Sequence, residues 1–247
     1  MGKDPPTAGS AEYGGPSRVG EMFDRIAPTY DLLNHLLSLG RDWAWRRRAA
    51  ELLGESGGGQ IADLATGTGD MLIALLRRIP PPAGAVGLDV SERMLSLCRE
   101  KLGRARLADR AELVRADACA TPFAGDSFDA VTMAFGIRNT SDVGATLREI
   151  LRILKAGGQT LILEFSLPEN RTVRWCHLKY LRLGVPFLGA VVSGDRCAYR
   201  YLNESIEAFY RPSEFCALME SAGFVQVSAT PLTWGVASIY RGVKPSG

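Results

Sequence analysis

From Gln60 to Phe165 the chain alternates short apolar runs with amphipathic stretches, and this rhythm restricts its architecture more than any single residue does. The runs Ile61–Ala65, Ala85–Asp89, Ala111–Ala116, Phe128–Phe135 and Thr160–Phe165 have the length and composition of buried strands. Between them, apolar residues recur at helical spacing: Met71, Leu72, Leu75 and Ile79; Met94, Leu95, Cys98 and Leu102; Leu147, Ile150, Leu151 and Leu154. Strand–helix–strand units repeated in this way predict an α/β, Rossmann-like fold, a parallel sheet covered by helices on both faces. A helix over Pro212–Ala222 and two strands, Val225–Ala229 and Val236–Gly242, follow. They are expected to close a seven-stranded, mostly parallel sheet with an antiparallel pair.

The flanking segments have other patterns. Residues 1–17, rich in Gly, Pro and Ser, are expected to form a disordered tail, leaving 18–247 as one domain. Residues 18–54 read as helices that precede the sheet, with Met22, Phe23, Ile26 and Tyr30 on one stripe and Trp43, Trp45, Ala49, Leu52 and Leu53 on another. Residues 172–210 interrupt the alternation with an apolar and basic stretch followed by an aromatic-rich one.

Charge and cysteine usage exclude several classes. With 29 basic and 27 acidic residues the net charge is +2, too balanced for electrostatic nucleic-acid binding. Cys98, Cys119, Cys176, Cys197 and Cys216 are far apart, without a Cys-x-x-Cys pair, so reduced thiols in a cytoplasmic protein are expected. His35 and His177 are the only histidines, so no metal site is expected. The N-terminus lacks the apolar core of a signal peptide, and the run Leu183–Val192 is half the length of a ~20-residue membrane span.

The 27 glycines stand well above the usual ~7%, which suggests tight turns at a ligand. The sharpest one is Asp63-Leu64-Ala65-Thr66-Gly67-Thr68-Gly69-Asp70, between the first strand and its helix, where free backbone N–H groups face a ligand. A dinucleotide fingerprint would place a third glycine at Leu72, which argues against NAD. Asp89 ends the second strand, where its carboxylate is placed to accept both ribose hydroxyls, and Asp117 ends the third, beside the Ala118 N–H, to meet an adenine amino group. Each acid alone reads as a helix cap or a solvated charge. Two of them at the carboxyl ends of one doubly wound sheet point to adenosine, and without a pyrophosphate site to S-adenosylmethionine.

The chain from residue 60 resembles the class I methyltransferases that use S-adenosylmethionine, through the glycine turn, Asp89, Pro122-Phe123 with Ser127-Phe128-Asp129, and Leu154-Lys155-Ala156-Gly157-Gly158. More specific stretches resemble the ubiquinone/menaquinone biosynthesis C-methyltransferase family, demethylmenaquinone methyltransferases included. They are Phe23-Asp24-Arg25-Ile26-Ala27-Pro28-Thr29-Tyr30-Asp31 with Asn34, Ser38-Leu39-Gly40 with Trp45-Arg46, Phe135-Gly136-Ile137-Arg138-Asn139, and Tyr199-Arg200-Tyr201-Leu202 with Ser205. The resemblance covers residues 19 to 243. It departs from the family at Ala134, where a serine is common, at Tyr210-Arg211, and at Trp234 and Tyr240.

The resemblance implies methylation of a prenylated quinol ring, most simply demethylmenaquinol to menaquinol, with a benzoquinol on the ubiquinone route as the other acceptor. Its alternatives are O- or N-methylation of another small molecule, or a non-catalytic scaffold that binds S-adenosylmethionine. The expected cofactor contacts are Asp63, Gly67, Thr68, Gly69, Asp89, Asp117, Ala118 and Ala134. Carbon methylation requires an aligned acceptor, exclusion of water and stabilisation of the developing quinolate. Arg138 is the expected stabiliser, the competing reading being a salt bridge that ties its loop to a helix. Tyr30 is expected to hydrogen-bond the quinol oxygen from a lid formed by residues 18–54, Asp31 to orient Arg138 or a water, and Asn139 and Tyr201 to face the substrate. His35, beside Leu36 and Leu37, reads as a satisfied lid residue rather than a base. Trp175–Val192, flanked by Arg174, Lys179 and Arg182, suits either a buried helix or peripheral contact with an anionic membrane at its inner face. A homo-oligomer is compatible with the sequence, although no segment specifies one.

Overall fold

A parallel sheet covered on both faces needs strands shielded from water along nearly their whole length, and the first strand shows this directly. β1 (Gln60–Leu64) is exposed only at Gln60. The computed structural model describes Asp24, residues 30–184 and residues 196–246. The expected tail over 1–17, most of the first lid stripe and the end of the apolar stretch, 185–195, lie outside the described residues.

Among the described residues, helices α1 (Tyr30–Leu37) and α2 (Asp42–Leu52) precede the sheet. β1 is followed by α3 (Asp70–Leu76), β2 (Gly84–Asp89), α4 (Glu92–Arg104), β3 (Glu112–Arg115), β4 (Phe128–Ala134), α5 (Val143–Ile153) and β5 (Leu154–Phe165). Then come α6 (Arg171–Lys179), α7 (Arg196–Ala208), α8 (Pro212–Ser221), β6 (Val225–Leu232) and β7 (Ala237–Val243). The strand order is β3-β2-β1-β4-β5-β7-β6, parallel except for β7, which is antiparallel to β5 and β6. The chain winds outward from β1 through β2 to β3, then returns to place β4 on β1's other side. That reversal opens a crevice at the carboxyl ends of β1 and β4.

Side chains of neighbouring strand residues face opposite layers. Ile61, Ala130, Leu161, Leu163 and Phe165 pack with Leu37, Trp45 and Ala49 of the preceding helices. Ala62, Leu64, Val131, Met133 and Ile162 pack on the other face with Leu147 and Ile150 of α5 and Phe215 and Met219 of α8.

Three boundaries differ from the sequence reading, the first being β6, which runs on to Leu232 rather than stopping at Ala229. α3 ends at Leu76 and leaves Ile79 almost fully exposed, because Pro80, Pro81 and Pro82 cannot continue a helix. β5 begins at Leu154 rather than Thr160: Leu154 pairs with Phe128, and the register then shifts so that Gln159 pairs with Ala130. Gly158 permits that irregularity, since a Cβ there would lie 2.8 Å from the Lys155 carbonyl oxygen.

Candidate active site

The glycine turn leaves β1 and is pinned to β2 by the Thr66 N–H, which donates to the Leu88 carbonyl at 2.9 Å. Gly67 and Gly69 have φ of +56° and +89°, a region that favours glycine. A Cβ on Gly69 would also lie 2.5 Å from Cys98 Sγ, so the turn presses against α4. Asp63, expected to touch the cofactor, is instead fully buried beneath the turn. Its oxygens accept the hydroxyls of Thr66 at 2.6 Å and Thr132 at 2.7 Å. Burial pushes its carboxyl up to about 6, against the pull of those two hydrogen bonds. Asp63 therefore shapes the turn and holds it to β4.

An open cleft of about 740 Å³ lies beside the turn, walled by Gly67, Asp89, Val90, Asp117, Ala118 and Asn139 among others. Asp89 Oδ2 accepts the Gly67 N–H at 2.8 Å, and its Oδ1 accepts the Ser91 N–H at 2.9 Å. Each oxygen keeps a lone pair for a ligand hydroxyl. Burial raises the Asp89 pKa, partly offset by the Ser91 and Gly67 N–H groups. Asp117 Oδ1 accepts the Cys119 N–H at 2.8 Å. Val90 and Met94, which the sequence reading did not assign to the site, complete an apolar wall suited to a purine face. Together the glycine turn, the two acids and this wall fit an adenosine-containing cofactor.

The preceding helices reach over the turn. Asp31 of α1 accepts the Thr68 hydroxyl and lies 2.6 Å from Lys101 Nζ. The same ammonium contacts Asp70 at 2.6 Å and Thr68 Oγ1 at 2.9 Å. Asp31 was expected to orient Arg138 or a water; its contacts clasp α1 to the glycine turn and α4. Farther upstream, Asp24 accepts the Ser91 hydroxyl, beside the Asp89 carboxylate. The side chain of Tyr30 lies outside the described residues. His35 accepts the Trp43 indole N–H on Nε2 at 2.8 Å and places Nδ1 2.7 Å from Asp42, which is an anchoring arrangement.

Arg138 follows β4 in the short turn Ile137–Asn139. Its guanidinium pairs with Glu164 of β5, donates to the Phe135 carbonyl at 2.9 Å and sits 5.5 Å above the Phe165 ring centroid. The Arg138 and Glu164 side chains are 3% and 0% exposed. The tie therefore runs to a strand, not to a helix. Arg138 Nε is buried with no protein partner among the described residues. Burial raises the Glu164 pKa, while the guanidinium pulls it back. Glu164 escaped the sequence reading, although a single acid inside the apolar run Leu161-Ile162-Leu163-Glu164-Phe165 signals a buried ion pair. Tyr201 of α7 donates to Asn139 Oδ1 at 3.1 Å, and Asn139 Nδ2 donates to the Phe135 carbonyl at 3.2 Å. The two expected substrate-side residues are thus neighbours at the rim of the cleft. Ala134 lines a smaller cavity on the other side of the turn.

Comparison with known proteins places the chain. Residues 12–244 match the model of the ubiE/COQ5 methyltransferase family. A demethylmenaquinone methyltransferase of Thermus thermophilus is 46% identical over 224 residues, covering 91% of this chain and 100% of that protein. A ubiquinone/menaquinone biosynthesis C-methyltransferase of Geobacter sulfurreducens is 44% identical over 227 residues, covering 92% and 88%. Among solved structures, a SAM-dependent methyltransferase of Thermotoga maritima shares the fold with a TM-score of 0.64 at 19% identity, covering 92% of this chain and 99% of that one.

Proposed function

Because the chain belongs to the ubiE/COQ5 methyltransferase family, and is an enzyme that uses S-adenosylmethionine, we propose that it methylates a ring carbon of demethylmenaquinol to give menaquinol. The observation that carries this reading is a cleft bearing two carboxylates beside the glycine turn, paired with a helical cover and with a buried arginine next to Asn139, which walls it. S-adenosylmethionine, when bound, supplies an electrophilic methyl group on a sulfonium. Asp89 holds the ribose hydroxyls and Asp117 the adenine amino group, which fixes the donor relative to the turn. The clasp of Asp31 to Lys101 and Thr68 holds α1 over the turn and excludes water.

The acceptor becomes a carbon nucleophile when its hydroxyl loses a proton. Arg138, oriented by Glu164 and the Phe135 carbonyl, stabilises the oxyanion that forms. The cofactor, when bound, would supply its methyl group to that ring carbon with the thioether as leaving group. Transfer of that carbon's proton to the ring oxygen would restore the aromatic quinol, so that one proton is released overall. Tyr201 and Asn139 position the ring edge.

The same reading places the enzyme at the cytoplasmic face of an anionic membrane, where a prenylated acceptor resides. Trp175 and Leu183 are 62% and 66% exposed, and Lys179 Nζ lies 5.9 Å from the Trp175 ring. Exposed indoles beside cations suit the headgroup region. No helix among the described residues is long and apolar enough to cross a bilayer. Sedimentation with phosphatidylglycerol vesicles, reversed by high salt, is the expected behaviour; binding that ignores lipid charge contradicts it.

Turnover tests the main reading. Protein, S-adenosylmethionine and short-chain demethylmenaquinol should release S-adenosylhomocysteine, and a demethylated benzoquinol in parallel reports the ubiquinone-side activity suggested by relatives such as that of Geobacter. Release with neither quinol, but with phenol or amine acceptors, overturns the proposal.

A further inference from the structure

Three of the four tryptophans, Trp43, Trp175 and Trp234, are exposed, and the fourth ties their segments together. That buried one, Trp45 of α2, donates its indole N–H to the Thr233 hydroxyl at 2.9 Å, which sets the tip of the β6–β7 hairpin against the first turn of α2. Trp234 at the tip is 83% exposed. On the tip's other side, a Cβ on Gly235 would lie 3.3 Å from Pro168 Cα. The carbonyls of Pro168 and Glu169 accept the Arg174 guanidinium of α6, both at 2.8 Å, and Trp175 is the next residue. The α1–α2 turn, the hairpin tip and α6 therefore form one contiguous edge at the end of β5. Phe165 pairs there with Ala237, and its ring lies beneath the Arg138 guanidinium.

This edge is apolar and basic. Leu39, in the α1–α2 turn, is 74% exposed. Across residues 38–43, 168–183 and 233–235 the exposed cations are Arg41, Arg171, Lys179 and Arg182, and the exposed acid is Glu169. Arg182 is taken by Glu207 of α7, which leaves the other three cations to face outward.

The backbone singles out Trp234. Its φ is +57°, between Thr233 at +45° and Gly235 at +88°, so three successive residues occupy the left-handed region that disfavours bulky side chains. The fold gains little from an indole held in that conformation and left in water, which points to a partner outside the chain. Projecting tips with indoles and cations interleaved suit a fluid, anionic interface, where amphipathic rings sit at the depth of the lipid phosphates.

We propose that Trp234 is a membrane anchor, its indole entering the headgroup region of an anionic bilayer with Leu39 and Trp175 beside it and Arg41, Arg171 and Lys179 facing lipid phosphates. The assignment rests on the prenylated-quinol reading above and gives it a defined orientation. The end of the sheet that carries Arg138 is turned toward the bilayer in which the prenyl chain lies.

The probe is a vesicle of phosphatidylglycerol and phosphatidylcholine, and the variant is Trp234→Gly, because glycine suits the left-handed backbone. Its Tm should equal or exceed that of the wild type, while its vesicle partition coefficient falls ~10-fold, as expected for one interfacial indole. Lys179→Gln should bind ~5-fold more weakly, with the loss confined to vesicles that contain phosphatidylglycerol. Both variants should turn over a short-chain quinol in solution at the wild-type rate, and a long-chain quinol carried in vesicles more slowly. Vesicle binding by Trp234→Gly equal to that of the wild type overturns the assignment. So does a wild-type dimer in sedimentation velocity that Trp234→Gly abolishes while vesicle binding persists, since the face then receives a second copy of the chain. Wild-type protein that ignores vesicles yet turns over the short-chain quinol refutes membrane docking and spares the methyl-transfer reading. Absence of turnover with any quinol removes the reading on which the assignment rests.

Discussion

The two sides of the glycine turn are built from different materials. On the cofactor side, carboxylates are held by backbone: Asp89 by the N–H groups of Gly67 and Ser91, Asp117 by that of Cys119. On the proposed acceptor side, side chains hold side chains across long stretches of sequence: Arg138 with Glu164, Asp31 with Lys101, Tyr201 with Asn139. Backbone-held groups move only if the strands move. Side-chain clasps open by rotamer changes, which suits a rim that must admit a bulky acceptor and then close. The cost is fragility, because one substitution removes the whole clasp.

The largest expected effect tests that fragility. Arg138→Ala should lower kcat by 10²–10³-fold, the usual loss when a preorganised donor is removed, with little change in S-adenosylhomocysteine affinity. It also strands the buried Glu164 carboxylate, which costs about 3–5 kcal/mol of stability. Adding Glu164→Gln should recover much of that stability without recovering kcat. Recovery of both would reduce Arg138 to a structural tie, and the acceptor side would lose its chemistry.

Asp89→Ala probes the cofactor side. It removes the proposed ribose contacts and orphans two backbone N–H groups, so S-adenosylhomocysteine affinity should fall about a hundredfold by calorimetry. Lys101→Met should cut the clasp between the sides, raising the acceptor KM about tenfold and hastening tryptic cleavage N-terminal to α2. An unchanged cleavage rate would mean that the clasp does not hold the cover.

The smallest effect sharpens the scaffold of the cofactor side. Glu149 of α5 accepts the Thr121 N–H and hydroxyl and pairs with Arg152, and these contacts hold its carboxyl down to about 2 from an ordinary 4.5. The stabilisation is complete above pH 4.5 and disappears as the pH falls through 2. Arg152 is half-exposed, so solvent screening leaves about 1–2 kcal/mol at pH 7. Urea titrations of Glu149→Gln should show that deficit at pH 7 and a narrowing gap at pH 4 and 3.

The same contrast explains what the sequence made legible. Strand positions, the glycine turn, Asp89 and Asp117 are written in local patterns, because backbone geometry there depends on neighbouring residues. Lys101 and Glu164 are distant from the groups they hold, and their roles depend on which strands and helices become adjacent. Asp31 shows the limit: its place in the cover was readable, yet its partner proved to be Lys101 rather than Arg138. Asp63 shows another, since a carboxylate at a strand end reads alike whether it faces a ligand or two buried hydroxyls.

The central claim is transfer of a methyl group to ring carbon. Incubation with S-adenosylmethionine carrying a ¹³C-labelled methyl group and demethylmenaquinol, followed by NMR of the extracted product, reads the new bond directly. A single enriched signal in the aryl-methyl region is expected, with S-adenosylhomocysteine in equal amount. Enrichment in the O-methyl region, or label left entirely on the donor, would contradict carbon methylation.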